Sequence, residues 1–417
     1  MCPIRIAIVG AGPVGLVLAR LLLDKPNIEV VVFESDKSRD VRSQGGTLDL
    51  HPNTGLSVLK EAGLYDEFLK RARSDGEALI ICDKKLIKYV HLPGVDEGSS
   101  RGRPEIDRKA LREMLLDSIP SQMIRWGYHL RSIDEDRNLI FDQGTESGFD
   151  LVVGADGAWS KIRKLVSDQT PNYSGVSGFG FIIPDAEKTA PQCYQLTNCG
   201  SIFSYSDGRS IMSQQIGDGS LTIYCWSTWP EDWMNKVPYE MQNPDAIKQA
   251  LIEEFHGWHP QLVEFLQYLQ EPVPRSLYML PVGWSWENRR GVALIGDAAH
   301  VMTPFAGEGV NLGMQDAQML SRVIIEASHS PTPNIQLQSE IKTFEKDLFA
   351  RAEQTASLTN DMLRWNFLSD GAPRSVIEKV ALRMMTFHDG PVKRLFKLPF
   401  LAAAVYSFYF VFKLCHR

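Results

Sequence analysis

The sequence predicts an α/β protein with a doubly wound, Rossmann-like nucleotide-binding domain, an inserted and mainly antiparallel β domain, and a C-terminal helical segment. Three observations support this fold class. The chain opens with a strand, a glycine-rich turn, a helix and a second strand. Its middle part alternates short strand-like segments with Gly-containing turns, and a buried-strand pattern returns afterwards. The length of 417 residues suits two domains.

The first βαβ unit is predicted from its apolar runs. Residues 4–9 are rich in β-branched side chains and predict a strand, residues 14–23 form an apolar stretch long enough for a buried helix, and residues 28–33 predict the next strand. Together they form the first unit of a doubly wound sheet.

The turn in this unit reads G-A-G-P-V-G and predicts a dinucleotide site. Gly10, Gly12 and Gly15 let the backbone approach a pyrophosphate at the N-terminus of the helix. Glu34 ends the second strand, where a carboxylate can accept the ribose hydroxyls of an adenine nucleotide. NAD and FAD both contain this ADP half, so these residues alone leave the cofactor open.

The later segments complete the predicted domain organisation. A strand pattern returns at residues 291–295, helices follow at about 310–327 and 335–363, and a Pro-rich linker separates these two helices. The predicted segments are residues 1–175 for the first part of the nucleotide-binding domain, 176–275 for the substrate-binding β domain, 276–330 for the second part of the nucleotide-binding domain, and 331–417 for the C-terminal helical segment.

Composition excludes several classes of protein. The chain is 44% hydrophobic and carries a formal charge of -7, which disfavours disorder and nucleic-acid binding and favours small-molecule partners. Six cysteines without a C-x-x-C pair fit reduced thiols, and the start of the chain lacks the pattern of a signal peptide. We therefore expect a cytoplasmic protein.

The C-terminus carries an apolar run at residues 400–412 with basic residues on both sides. Thirteen residues are fewer than the roughly 20 that a bilayer-spanning helix needs. Two interpretations stay open: a terminal helix that packs across both domains, and an interfacial anchor that makes peripheral membrane contact.

Two further segments follow predicted strands. Residues 150–160 predict a strand that ends in a Gly-Ala-Asp-Gly turn containing Asp156. Residues 296–300 read G-D-A-A-H and contain Asp297, and a glycine-rich loop leads from there into a helix. The loop supplies three candidate residues: Gly307, Gly309 and Asn311.

The glycine-rich turn, the Asp156 turn and the Asp297 segment, in this order, resemble the group A flavoprotein monooxygenases of the para-hydroxybenzoate hydroxylase type. The resemblance covers about residues 1–325. The resemblance implies that FAD is the cofactor and that Asp297 binds its ribityl chain. It also implies that the loop with Gly307, Gly309 and Asn311 passes beside the isoalloxazine ring. Asp156 is linked by the same resemblance to FAD and nicotinamide binding.

Two shorter stretches resemble the tetracycline-inactivating monooxygenases of this group. They are G-G-T-L-D-L-H at residues 45–51 and P-E-I-D-R-K-A-L-R at residues 104–112. The similarity implies that Asp49 and Arg112 contact FAD and that Arg42 contacts NADPH. A planar guanidinium fork suits a diphosphate or a flavin edge, which agrees with the role implied for Arg112.

The resemblance implies an NAD(P)H-dependent and O2-dependent reaction. NADPH or NADH reduces FAD, a C4a-hydroperoxyflavin forms, and one oxygen atom passes to an aromatic, polyketide or indole-alkaloid type of substrate. Hydroxylation, epoxidation and Baeyer–Villiger insertion stay open. We expect a monomer or weak dimer.

The inserted domain departs from the tetracycline-inactivating enzymes, so their drug specificity does not carry over. Gln195, Met212 and Trp226 are candidate substrate contacts, although Met and aromatic residues at strand spacing also occur in cores. His51 and His300 lack a ligand partner four residues away, so we assign no metal.

The catalytic residues stay unknown, since the flavin carries the chemistry. The main alternative is an FAD-dependent reductase or dehydrogenase without oxygen insertion. Flavin-dependent halogenases generally carry a W-x-W-x-I-P signature, and this chain has Glu287-Asn288-Arg289 after Trp284-Ser285-Trp286, which disfavours that class. A non-enzymatic dinucleotide-binding chaperone is the last alternative, and failure to bind any flavin would favour it.

Overall fold

The computed structural model describes residues 3–41, 45–94 and 102–416. The strands are β1 (Ile4–Val9), β2 (Ile28–Glu34), β3 (Thr47–Asp49), β4 (Leu79–Cys82), β5 (Lys88–Leu92), β6 (Glu105–Asp107), β7 (Ile124–Trp126), β8 (Leu130–Ile133), β9 (Leu139–Phe141), β10 (Gly144–Glu146), β11 (Leu151–Gly154), β12 (Asn172–Ile183), β13 (Ser201–Ser206), β14 (Arg209–Gln215), β15 (Leu221–Ser227), β16 (Val273–Met279) and β17 (Val292–Leu294).

The helices are α1 (Pro13–Leu22), α2 (Gly55–Glu61), α3 (Tyr65–Leu69), α4 (Arg108–Asp117), α5 (Ala186–Thr189), α6 (Pro191–Thr197), α7 (Pro244–Glu254), α8 (Pro260–Gln267), α9 (Asp297–His300), α10 (Gly309–Ser328), α11 (Pro333–Phe367), α12 (Ile377–Thr386) and α13 (Pro391–Cys415).

The chain forms two compact units, each built from three segments. The first unit comprises Met1–Arg73, Gly102–Asn172 and Tyr278–Ser357. The second comprises Ser74–Arg101, Tyr173–Leu277 and Leu358–Arg417. Residues 74–101 therefore belong with the second unit, although the sequence analysis assigned them to the nucleotide-binding domain. The reason is a non-local pairing, in which β4 joins β13 in parallel.

The first unit contains a parallel sheet in the order β17-β11-β1-β2-β7. The chain runs outward from β1 to β7 on one side and returns to β11 and β17 on the other, which is the arrangement of a doubly wound nucleotide-binding sheet. The predicted fold class is confirmed. In such sheets ligands bind beyond the carboxyl ends of the strands, at the point where the strand order reverses. In this sheet that point lies between β1 and β11.

Helix α1 is held on this sheet by apolar packing. Pro13 fixes the backbone at the first helical turn, and Leu16, Leu18 and Leu22 are buried. α1 contacts α10, where Gly313 allows close approach: a Cβ there would lie 2.7 Å from a methyl group of Val14. This packing places the N-terminus of α1 at the carboxyl edge of the sheet.

The second unit contains a seven-stranded sheet in the order β16-β12-β15-β14-β13-β4-β5. The β12–β15, β15–β14, β14–β13 and β4–β5 pairs are antiparallel, and only the β13–β4 pair among these neighbours is parallel. The prediction of a mainly antiparallel insertion is confirmed.

The two faces of this sheet differ. Residues such as Ile211, Ile223 and Cys225 belong to one buried cluster with helices α6, α7 and α8. Because side chains alternate along a strand, Tyr224 and Trp226 point to the opposite face. Their rings are stacked, with centroids 5.5 Å apart and planes inclined by 11°.

Helix α13 is longer than the apolar run in the sequence. It contains 25 residues, because the basic residues Lys393, Arg394 and Lys397 continue the helix instead of ending it. The expectation that this segment is too short to cross a bilayer is therefore wrong. Residues 392–415 form a helix that is long enough, and apolar enough in composition, to cross a bilayer. Only 11% of its most apolar 18-residue stretch is buried.

Candidate active site

The glycine-rich turn follows β1 and opens α1. Gly10 has φ +110°, and a Cβ there would lie 2.3 Å from the carbonyl oxygen of Ala155. A Cβ at Gly15 would lie 2.1 Å from the carbonyl oxygen of Gly10, so helix and strand can approach only without side chains here. Above Gly12, by contrast, a Cβ would meet no atom of the described residues within 4 Å. This open space lies at a helix N-terminus, where a pyrophosphate binds favourably.

Glu34 is fixed beside this turn. It is 4% exposed, and its carboxylate accepts hydrogen bonds from the amides of Ala11 (2.6 Å) and Asp36 (2.9 Å). Oε1 also accepts from the Ser35 hydroxyl (3.0 Å), whereas Oε2 accepts only from Ala11 among the described residues and has a further lone pair for a ribose hydroxyl. The position therefore suits the role predicted from the sequence.

Arg112 is buried rather than on the surface of α4. Its guanidinium donates to Asp36 (3.2 Å) and to the carbonyl oxygen of Arg39 (2.9 Å), and it lies over the ring of Trp126. These contacts hold the loop that follows Glu34. Direct contact of Arg112 with FAD stays a prediction, and Arg42 lies outside the described residues.

Asn311, at the start of α10, ties three segments together. Its amide nitrogen donates to the carbonyl oxygen of Asp49 (2.9 Å), and its side-chain oxygen accepts from the amides of His51 (2.9 Å) and Gly55 (3.3 Å). Gly307 has φ +70°, and a Cβ there would lie 3.3 Å from the Asp49 carboxylate. The structure thus brings Asp49, Gly307 and Asn311 together, and contact of these residues with FAD stays a prediction.

His51 lies between two carboxylates in this cluster. Its Nε2 lies 2.8 Å from an oxygen of Asp49, and its Nδ1 lies 3.3 Å from an oxygen of Glu308. Burial alone would lower the pKa of His51, but the two carboxylates outweigh it and raise that pKa to about 9. The imidazolium therefore holds the loop before α10 against β3 at neutral pH.

This pairing predicts pH-dependent stability. The His51 pKa rises from its ordinary value of 6.5 to about 9 in the folded protein, so its contribution is complete below pH 6.5 and is lost as pH rises through 9. We expect His51→Gln to remove up to about 3 kcal/mol of unfolding free energy at pH 6 and much less at pH 10. Urea unfolding across this range is the measurement. A constant difference between the two proteins would contradict the assignment.

Asp156 organises the turn after β11. Its carboxylate accepts from the Ser160 hydroxyl (2.6 Å) and from the amides of Lys161 (2.7 Å) and Ile162 (3.3 Å). A Cβ at Gly157 would meet no atom within 4 Å, which leaves open space beside the turn. Contact of Asp156 with FAD or nicotinamide stays a prediction.

Arg163 joins this turn to the segment that carries Asp297, a role that the sequence analysis missed. It is 2% exposed, and it donates to the carbonyl oxygens of Ala158 (2.9 Å), Ala298 (2.8 Å) and Asp297 (3.0 Å). The signal in the sequence was its place among three basic residues, Lys161, Arg163 and Lys164, that follow the Asp156 turn. The Asp297 side chain itself is exposed at the start of α9.

A buried ionic network holds both ends of α9 through Gly296 and His300. The sequence analysis did not predict this network. Asp316 is fully buried and accepts from His300 (2.5 Å), Arg351 (2.8 Å) and the amide of Gly296 (3.1 Å). Burial alone would raise the pKa of Asp316, but His300 and Arg351 outweigh it and hold that pKa below its usual range. His300 therefore has a structural role, through Asp316.

The candidate substrate residues do not lie together. Met212 on β14 pairs with Tyr224, and Trp226 follows on the same face of β15; both Met212 and Trp226 are buried. Gln195 instead has an exposed side chain on α6, a helix that packs on the other face of this sheet. The turn in the chain that starts α6 was not predicted, and Gln195 is thus separated from the other two.

The residues present fit an FAD molecule. The glycine-rich turn, Glu34, the Asp156 turn and Asp297 all follow strands of one parallel sheet at its carboxyl edge. Open space lies above Gly12 and Gly309 among the described residues, and the exposed Asp297 carboxylate can accept hydrogen bonds from hydroxyl groups. A two-unit flavoprotein with a nucleotide-binding sheet is the class that this fold and site define.

Comparisons with known proteins identify the family. The chain belongs to the FAD binding domain family, whose model matches residues 4–339. It is 30% identical over 422 residues to the monooxygenase asqM of Emericella nidulans, covering 85% of this chain and 94% of that protein. This chain is thus an FAD-dependent monooxygenase that uses NAD(P)H.

Solved structures share the fold. The HpxO structure from Klebsiella pneumoniae, complexed with FAD and uric acid, matches with a TM-score of 0.71 at 18% identity, covering 97% of each chain. The tetracycline destructase Tet(51) matches with a TM-score of 0.67 at 19% identity, covering 92% of this chain and 96% of that one. The resemblance stated from the sequence is confirmed.

Proposed function

We propose that this monooxygenase inserts one oxygen atom into a bulky aromatic substrate of the phenolic, polyketide or indole-alkaloid type, by hydroxylation, epoxidation or Baeyer–Villiger insertion. Bound FAD supplies the electron transfer and the oxygen activation. The HpxO complex holds uric acid, an aromatic heterocycle, which supports this class of substrate.

The aromatic face of the second unit's sheet carries the proposal. Tyr224 and Trp226 form a stacked pair there, and the neighbouring strand has Gly178 and Gly180 opposite them. A Cβ at Gly180 would lie 3.0 Å from the Tyr224 ring, so the glycine leaves room for it. Arg275 lies 6.0 Å from the centroid of the same ring. Trp226 is buried, so the half-buried Tyr224 ring and the exposed Arg275 are the parts of this face that suit a flat, electron-rich substrate with a polar group.

The remaining roles belong to the first unit. Gly10, Gly12 and Gly15 would accommodate the pyrophosphate, and Glu34 the adenosine ribose. The N-terminus of α10 at Gly309 presents backbone N–H groups and a positive dipole end, which would favour negative charge on the flavin. Arg163 and Asp316 act through the backbone that they hold, so we regard them as positioning residues.

Asp297→Ala is expected to weaken FAD binding by roughly tenfold or more, because one charge-assisted hydrogen bond to the ribityl chain is lost. The measurement is the dissociation constant from FAD titration of the apoprotein. Asp245→Ala is the matched control, since Asp245 also lies exposed in the first turn of a helix, α7 of the second unit. Equal FAD affinity of both variants would contradict the role of Asp297.

We also propose a cytoplasmic location with peripheral membrane contact through the C-terminal apolar segment, and a monomeric or weakly dimeric state. The use of NADPH, with Arg42 as a contact, stays part of the proposal. NADH is the other candidate.

The test is oxidation of NADPH and NADH in air with phenolic, polyketide and indole compounds, followed by mass spectrometry of the products. Stimulated oxidation with a product one oxygen atom heavier supports the proposal and names the substrate class. Oxidation that yields only peroxide or a desaturated product would favour the reductase or dehydrogenase alternative.

A further inference from the structure

Helix α13 presents an apolar surface that the described part of the chain does not cover. Seven large side chains on it are between 58% and 81% exposed: Val392, Leu395, Phe396, Phe400, Phe408, Phe410 and Val411. We call these seven residues the outer face of α13. Contiguous apolar patches of this kind on a folded protein mark sites of interaction with a membrane or another protein.

The opposite side of α13 is fixed to the second unit. Val405 and Tyr409 are buried in a cluster with Tyr89 of β5 and Ile377 of α12. The Tyr409 hydroxyl donates to the carbonyl oxygen of Tyr89 (3.0 Å). The Lys413 ammonium donates to both carboxylate oxygens of Glu378 (2.7 and 2.9 Å). The helix is thus apolar on both sides, and its own protein covers one of them.

The charges on and beside this segment are mainly positive. Residues 391–417 contain five Lys and Arg residues and no Asp or Glu, whereas the whole chain has a formal charge of -7. Lys393 and Lys397 pair with Asp389, and Lys413 pairs with Glu378, so five positive and two negative charges leave a net charge of +3 here. Basic residues beside an apolar helix face are attracted to anionic lipid headgroups. Two copies of this chain that met through the outer face would instead bring like charges together, which disfavours a dimer.

A groove opens beside the outer face near the end of the helix. Its volume is about 700 Å³, and it is lined by Arg374, Lys413, Tyr406 and Phe410 as well as by Glu378. Arg374 donates to the carbonyl oxygens of Lys413 (2.6 Å) and His416 (2.9 Å). The groove therefore combines cationic groups with apolar walls, as a lipid headgroup and the start of its acyl chain require.

We propose that α13 lies in the plane of an anionic membrane surface, with its outer face inserted among the lipids and its inner side kept on the second unit. A length of 25 residues, at about 1.5 Å each, would suffice to cross a bilayer. Crossing would, however, strip Val405 and Tyr409 from their cluster and break the Lys413–Glu378 pair. This inference rests on the proposed membrane contact and is independent of the oxygenation reaction.

The binding test is flotation of the purified, FAD-loaded full chain with lipid vesicles. Wild-type protein is expected to float with vesicles of phosphatidylcholine and phosphatidylserine, and less with phosphatidylcholine alone or at high salt. The double variant Phe400→Glu, Phe410→Glu should lose roughly tenfold or more of this binding. Ile335→Glu is the matched control, because Ile335 is an apolar residue of α11 that is 69% exposed. Equal binding of both variants would overturn the proposal, as would a wild-type dimer that ignores vesicles.

The orientation test uses Cys415, which is exposed at the end of α13. A membrane-impermeant maleimide is added outside vesicles that carry bound protein, and labelling of a Cys415→Ser variant is subtracted. An in-plane helix leaves Cys415 outside, so labelling should proceed without a pore-forming peptide. Labelling only after pores are formed would show that the helix crosses the bilayer. Flavin absorbance monitors folding in every variant, so a failure of the monooxygenase proposal would leave this result readable.

Discussion

Gly12→Glu is expected to abolish FAD binding while the protein still folds. A side chain at this position would enter the open space above the N-terminus of α1, where a Cβ meets no atom within 4 Å. A carboxylate about 4 Å from a phosphate charge costs about 4 kcal/mol at an effective dielectric constant of 20, which corresponds to roughly a thousandfold loss of affinity. The measurement is FAD titration of the apoprotein, with circular dichroism to monitor the fold.

Gly390→Glu provides the matched control. Gly390 precedes α13 as Gly12 precedes α1, both have extended backbone with negative φ, and a Cβ would meet no atom within 4 Å at either position. The control should retain FAD. Retention of FAD by Gly12→Glu as well would mean that the pyrophosphate does not lie at this turn.

Asp316→Ala is expected to destabilise the first unit by about 3–5 kcal/mol, the usual cost of removing one partner from a buried ion pair. His300 and Arg351 would be left without the carboxylate that they share, and Gly296 would lose the acceptor of its amide. Because Gly296 precedes Asp297, FAD affinity should fall as well. Urea unfolding followed by flavin release measures both effects.

Asp347→Ala is the control for this change. Asp347 also accepts a hydrogen bond from Arg351 (2.8 Å), but its side chain is 48% exposed, so its loss should cost no more than about 1 kcal/mol. If both variants lost the same stability, the buried network would not support the loop.

The sequence predicted the parts of the fold that depend on local pattern. The strand predicted at residues 4–9 is β1 with the same bounds, and the helix predicted at about 310–327 is α10, one residue longer at each end. β1 is a short run of mostly β-branched apolar residues, α10 has helical apolar periodicity, and a glycine lies beside each. The FAD cofactor was also correctly predicted, since it depended on three motifs in a fixed order.

The missed features depend on contacts between distant parts of the chain. Arg163 meets Ala298 across 135 positions, and Arg351 meets Asp316 across 35. Neither partner is marked by spacing or composition. The same reason explains residues 74–101, whose place in the second unit follows from the pairing of β4 with β13.

The substrate residues show a different limit. Met212 and Trp226 alternate with core residues along their strands. The sequence could therefore show that they share one face of the sheet, but not whether that face binds substrate or packs against helices. Gln195 was judged by proximity in the chain, whereas a short helix carries it away from that face.

The central claim is that this flavoprotein transfers an oxygen atom from O2 to an organic substrate. The most direct test is to run the reaction of the purified, FAD-loaded protein under oxygen-18 gas with NADPH or NADH and the substrate found in the panel. We predict a product with one oxygen-18 atom, formed in proportion to the NAD(P)H consumed. Substrate turnover without oxygen-18 in the product would contradict the claim and favour an FAD-dependent reductase or dehydrogenase.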